Sequence, residues 1–118
     1  METPSATAVS NPTTTTPSSA SAPEFEYRQH DALGLADLVR RGETSASELL
    51  DLAIARAEAM NPKINAIITP LYDYGRAQIN AGLPDGPFSG VPFLLKDLLC
   101  AVEGTPLSNG SNALKGRI

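Results

Sequence analysis

Residues Val91–Leu95 read Val-Pro-Phe-Leu-Leu and run directly into Lys96-Asp97. A short, unbroken apolar run of this kind predicts a strand buried on both faces. Such a strand needs neighbours in a sheet. Pro92, which has no N–H to give a ladder, places itself near the strand start or at an edge.

A second strand is expected upstream, over Ile64–Thr69, which reads Ile-Asn-Ala-Ile-Ile-Thr and is rich in β-branched residues. Between the two lies a predicted helix over Leu71–Ala81, weakened by Gly75 and ended by Gly82, and a loop over Leu83–Gly90. Strand, helix, strand is a βαβ unit with parallel strands and a right-handed crossover, so the expected fold class is α/β. Two parallel strands alone make a marginal sheet. The expectation is therefore of an incomplete fold, whose partner strands come from elsewhere.

Two helices are predicted before the first strand. Asp31 is an N-cap candidate, Leu35, Leu38 and Val39 form an apolar face, and Arg40-Arg41-Gly42 is a helix C-terminal signature. Ser45-Ala46-Ser47-Glu48 fits a capping box, followed by Leu49, Leu52, Ala53, Arg56, Ala57 and Met60 at helical spacing. Asn61-Pro62 is expected to stop that helix. Beyond the second strand, Cys100–Gly110 reads as loop and Ser111–Lys115 as the start of a helix. No internal repeat is visible.

The first 23 residues carry six Thr, five Ser, four Ala and four Pro, with Glu2 as the one charge. Too little apolar surface is available there to offset the entropy of ordering, so residues 1–23 are expected to form a disordered tail ahead of a domain at 24–118. The tail has neither the basic and apolar regions of a secretory signal nor the basic residues of a mitochondrial transit peptide. No run reaches the roughly 20 apolar residues a membrane span requires. The net charge is −4 and the nine basic residues are mostly scattered, which gives no footprint for nucleic acid or an anionic membrane. Cys100 is the single cysteine, so no internal disulfide forms, and a reducing, cytoplasmic setting fits.

Lys96 is the residue with the most chemistry. Burying an ammonium is costly unless it is paired or gives up its proton, and a lysine desolvated in this way becomes a general base. A strand-end lysine that reaches water or pairs with Asp97 is the plain alternative. His30, in a polar context, reads as a surface residue. Cys100, behind two leucines, reads as a small buried apolar residue rather than a nucleophile.

The run Gly86-Pro87-Phe88-Ser89-Gly90-Val91-Pro92-Phe93-Leu94-Leu95-Lys96-Asp97 resembles the first catalytic motif of the amidase signature family. That motif typically reads Gly-Pro-aromatic/Leu-x-Gly-Val-Pro, an apolar pair, then Lys-Asp. Ser45–Ala66 resembles the family's N-terminal helix and Asn-Ala strand, and Gly104-Thr105-Pro106 with Gly110-Ser111 resembles its glycine-rich loop. The resemblance covers about Leu35 to Gly116. It implies an α/β/α fold with a mixed central sheet, of which this chain holds the N-terminal portion.

The resemblance also implies an amide hydrolase or transferase with a Ser–cis-Ser–Lys triad. Lys96 would be the general base, accepting a proton through a bridging serine from the nucleophilic serine, and an acyl-enzyme would follow. Asp97 and Ser111 would be supporting residues that orient Lys96 and its loop. No metal or organic cofactor is implied. The partner would be a small-molecule amide, linear or cyclic, and a homo-oligomer is compatible with it. The Gly-Gly-Ser-Ser-Gly-Gly type of segment that carries both serines in the family does not occur in this sequence. The base is therefore expected without its nucleophile, and the chain alone is expected to be inactive. Two other readings stay open. One is a non-enzymatic truncated paralogue that binds a partner. The other is part of the amidotransferase subunit that releases ammonia from glutamine for charged tRNA.

Overall fold

The computed structural model describes residues 27–118. The expected tail over 1–23 lies outside the described residues. Three α-helices lie wholly within the described part: α1 (Ala32–Arg40), α2 (Ala46–Ile64) and α3 (Tyr72–Ala81). A 3-10 turn follows at Asn112–Leu114.

Helix α1 starts where its sequence says it should. The Asp31 carboxylate accepts the Gly34 N–H at 2.8 Å, satisfying one of the donors that a helix start leaves unpaired. At the other end Gly42 takes φ +73°, and the N–H groups of Gly42 and Glu43 donate to the carbonyls of Val39 and Leu38, both at 3.0 Å. This pair of bonds is a Schellman closure, which needs the left-handed residue that glycine supplies without a Cβ penalty.

Helix α2 opens with the expected capping box: Glu48 N–H donates to Ser45 Oγ at 3.2 Å, and Glu48 accepts the Ser45 N–H at 2.8 Å. Its end differs from the expectation. The helix passes through Pro62 to Ile64 and stops at Asn65, whose φ is +47°. Proline removes one ladder bond, the one that would reach the Glu58 carbonyl, and Glu58 is exposed to water. The turn is then closed by the Asn65 N–H donating to the Asn61 carbonyl at 2.7 Å.

Helices α2 and α3 pack on each other. Gly75 makes the close approach: a Cβ there would lie 3.4 Å from Leu50 Cδ2. Arg76 and Asp51 add an ion pair at 2.7 Å, about half exposed on both sides, worth at most about 1 kcal/mol. The buried core of the described residues is small: Leu35 and Ala36 of α1, Ala46 and Leu49 of α2. Gly90 returns the following loop to this core. Its φ is +85°, and a Cβ there would stand 3.0 Å from Val39 Cγ1 and 3.4 Å from Ala46 Cβ.

The two expected strands are not strands among the described residues, so the βαβ unit is not formed there. Ile64 belongs to α2. At Ile67 the side chain of Asn61 takes the place of a neighbouring strand, with Nδ2 donating to the Ile67 carbonyl and Oδ1 accepting its N–H, both at 2.8 Å. In Val91–Leu95, the Val91 N–H closes a turn on the Phe88 carbonyl at 3.1 Å. Phe93 and Leu94 are 84% and 71% exposed, contrary to the expected burial. The reason is physical: a strand exists through its ladder, and neither segment meets a partner backbone here.

Candidate active site

The loop that follows Gly90 carries Lys96 and Asp97 into a tight turn. The Lys96 carbonyl accepts the Leu98 N–H at 2.8 Å, and Leu99 follows in the left-handed region with φ +61°. Lys96 itself is exposed, and no ion pair holds its ammonium among the described residues. The burial expected of Lys96 is therefore not provided within this segment.

Asp97 does not pair with Lys96. Its carboxylate crosses to a second turn, eleven residues on. It accepts the Ser108 hydroxyl, the Ser108 N–H at 2.9 Å and the Asn109 N–H at 3.4 Å. The Ser108 hydroxyl and then its N–H hold the Asp97 carboxyl below the ordinary carboxylate value, with smaller help from the Asn109 and Gly110 N–H groups. A return bond runs the other way, from the Leu99 N–H to Asn109 Oδ1 at 2.9 Å.

Ser111 lies beside this arrangement. Its N–H donates to the Ser108 carbonyl at 2.9 Å, and its hydroxyl accepts the Ala113 N–H at 3.3 Å as the cap of the 3-10 turn. No hydrogen bond joins Ser111 to Lys96 among the described residues. The structure thus brings Asp97 to a loop that ends in Ser111 and leaves Lys96 projecting from the adjoining turn. Cys100 is exposed, which corrects its reading as a buried apolar residue: the Phe93–Cys100 stretch has few neighbours to cover it. His30 is exposed, as expected.

Ser108 and Asn109 are the residues that sequence reasoning passed over. Their signal is the tripeptide Ser108-Asn109-Gly110. Asn-Gly favours a turn with two left-handed residues, and Asn109 and Gly110 have φ +50° and +72°. Successive N–H groups in such a turn converge on an anion, which here is Asp97. No group of three or more His, Cys, Asp or Glu side chains able to hold a metal occurs among the described residues. No helix of the described residues is long and apolar enough to cross a membrane.

The amidase family model matches residues 48–118, which include both turns. The chain belongs to the amidase family. It is 50% identical over 74 residues to the 6-aminohexanoate-cyclic-dimer hydrolase of Paenarthrobacter ureafaciens, covering 63% of this chain and 15% of that enzyme. It is 36% identical over 96 residues to the lipoamidase of Enterococcus faecalis, covering 80% of this chain and 13% of the relative. A glutamyl-tRNA(Gln) amidotransferase subunit from Alkalilimnicola ehrlichii is 38% identical over 87 residues, covering 68% of the chain and 18% of the relative. The chain thus spans less than a fifth of the length of these curated relatives. No solved structure matches it significantly.

Proposed function

We propose that this amidase-family segment supplies the general base of an amide-cleaving site, with Lys96 as that base. The supporting observation is the Lys96-Asp97 turn, whose carboxylate is tied to Ser108 and Asn109 while the lysine side chain stays unpaired among the described residues. In this reading residues 24–118 are the N-terminal part of an α/β/α amidase domain with a mixed central sheet. The apolar Val91–Leu95 run becomes a strand once neighbouring strands cover it.

Chemically, the Lys96 amine takes a proton through a bridging serine from a nucleophilic serine. That serine attacks the amide carbonyl, the amine leaves with a proton returned along the same path, and water resolves the acyl-enzyme. Both serines come from outside residues 1–118 in this scheme, since the chain holds no Gly-Gly-Ser-Ser-Gly-Gly type run. The substrate is a linear or cyclic amide, and a cytoplasmic setting with no cofactor belongs to the same proposal. Asp97 and Ser111 support the lysine-bearing loop.

Hydrolysis of a panel of aliphatic, aryl and cyclic amides tests the proposal. The 118-residue chain alone is expected to release no product. The complete gene product that carries it is expected to be active, and Lys96→Ala is expected to cut its rate by about 100- to 10,000-fold, the usual range for a general base. A complete gene product that is inactive, or one that keeps its rate in Lys96→Ala, overturns the assignment.

A further inference from the structure

We infer that Ser108 and Asn109 are positioning residues for Lys96, acting through a two-way clasp between the turn at 96–99 and the turn at 108–110. The inference rests on the proposed role of Lys96 as a base. The two turns are joined in both directions. Asp97 of the first accepts from the Ser108 hydroxyl, from the Ser108 N–H at 2.9 Å and from the Asn109 N–H at 3.4 Å of the second. Asn109 Oδ1 of the second accepts from the Leu99 N–H of the first at 2.9 Å. The Ser108 hydroxyl is itself fixed, because it also accepts the Gly110 N–H at 3.3 Å.

The intervening Cys100–Leu107 stretch forms no helix or strand, so it cannot set the relation of the two turns by itself. The clasp does so, and it also holds backbone that would otherwise relax. Leu99 and Asn109 are both non-glycine residues in the left-handed region, at φ +61° and +50°. Asn109 is favoured there by its Asn-Gly sequence, whereas a leucine persists in that region only where its surroundings over-determine it, and the Leu99 N–H is held by the return bond. Lys96 is three residues from Leu99 and adjacent to Asp97, so the direction in which its side chain leaves the chain is set by the same turn.

For a lysine base this direction matters more than for an ordinary surface cation. Proton transfer needs hydrogen-bond reach to the bridging serine, and a displacement of about 1 Å costs on the order of 100-fold in rate. Removing the Ser108 hydroxyl leaves the Asp97 carboxylate short of its best donor and frees the turn that carries Lys96.

The test uses the complete gene product and a fluorophosphonate probe, which reports how fast an activated serine attacks whatever the natural amide is. Ser108→Ala is expected to slow the first-order labelling step by about 10- to 100-fold with little change in probe affinity. Ser108→Thr, which keeps the hydroxyl, is expected to restore most of that rate. Labelling of Ser108→Ala at the wild-type rate overturns the inference. So does equal slowing in Ser108→Ala and Ser108→Thr that tracks a common loss of melting temperature, since that is the mark of a merely structural residue. Lys96→Ala serves as the separate control. If it is labelled as fast as wild type, or if wild type is not labelled at all, the base assignment itself falls, and with it the inference. Loss in Lys96→Ala but not in Ser108→Ala removes the clasp alone.

Discussion

Asn61 holds Ile67 by both of its backbone groups, donating from Nδ2 to the carbonyl and accepting the N–H at Oδ1, each at 2.8 Å. A side-chain amide carries the donor and acceptor of a peptide group, so one residue stands in for a length of neighbouring strand. Asn61→Ala leaves both Ile67 groups to find water in a half-buried position. Two neutral hydrogen bonds contribute about 1–3 kcal/mol together, so Ile67 amide exchange is expected to accelerate about five- to 150-fold. Asn61→Asp keeps the acceptor for the Ile67 N–H and is expected to have a smaller effect. An Ile67 amide that exchanges equally fast in all three proteins means the bond is not held in solution.

The start of α2 depends on a reciprocal pair in the same way. Ser45→Ala removes the Oγ that receives the Glu48 N–H at 3.2 Å, a loss of about 1 kcal/mol for a capping serine. The pH behaviour follows from Glu48, whose carboxyl is held below its ordinary value of 4.5 by the Ser45 hydroxyl, then the Ser45 N–H and the Thr44 hydroxyl. A carboxyl with a depressed folded value contributes stability above its unfolded value, and that contribution fades as pH falls through the folded one. Helix content measured by circular dichroism is therefore expected to drop on acidification below about 4.5. The drop should be shallower in Glu48→Gln. Parallel acid curves for the two proteins count against the cap as its source.

Gly90→Ala tests the return of the loop to the core. The new Cβ would sit 3.0 Å from Val39 Cγ1 at a residue with φ +85°. A non-glycine residue in that region costs about 1–2 kcal/mol before any crowding is counted. The variant is expected to melt several degrees lower, as a loss of this size does in a small domain. Gly86→Ala is the control, because nothing lies within 4 Å of a Cβ there. Equal melting of the two variants counts against the close approach of Gly90 to Val39.

Where the sequence is legible, the determinants are local. Asp31, the Ser45–Glu48 pair and Gly42 each act within one helical turn, and each does what its position implies. Pro62 departs from the expectation because a single missing N–H near an exposed helix end costs one bond, and the helix runs on to its Asn65 cap. The strands fail for a different reason. Val91–Leu95 has the apolar pattern of a buried strand, but a pattern says only what a segment would do beside a partner. The site divides along the same line. Lys96-Asp97 is legible as a motif, whereas the Asp97–Ser108 bond spans eleven residues of irregular chain, over which sequence spacing carries no geometry.

That bond makes the acid behaviour of the Lys96 turn predictable. The Asp97 carboxyl lies below its ordinary value of 3.8, chiefly because it accepts from the Ser108 hydroxyl and N–H. With the folded value depressed, the clasp is at full strength above the unfolded value and is lost as pH falls through the folded one. Protonation removes an acceptor from Ser108 and Asn109, so both amide signals are expected to shift together in an acid titration followed by NMR, with a midpoint below 3.8. The Leu99 amide, bonded to Asn109 Oδ1 rather than to Asp97, is expected to follow only indirectly and with a smaller shift. Asp97→Asn removes the titrating group, and the Ser108 and Asn109 signals should then be flat over the same range. A Ser108 amide that is already flat in the wild-type protein rules out the carboxylate as its acceptor and leaves the Leu99–Asn109 bond as the one side-chain link between the two turns.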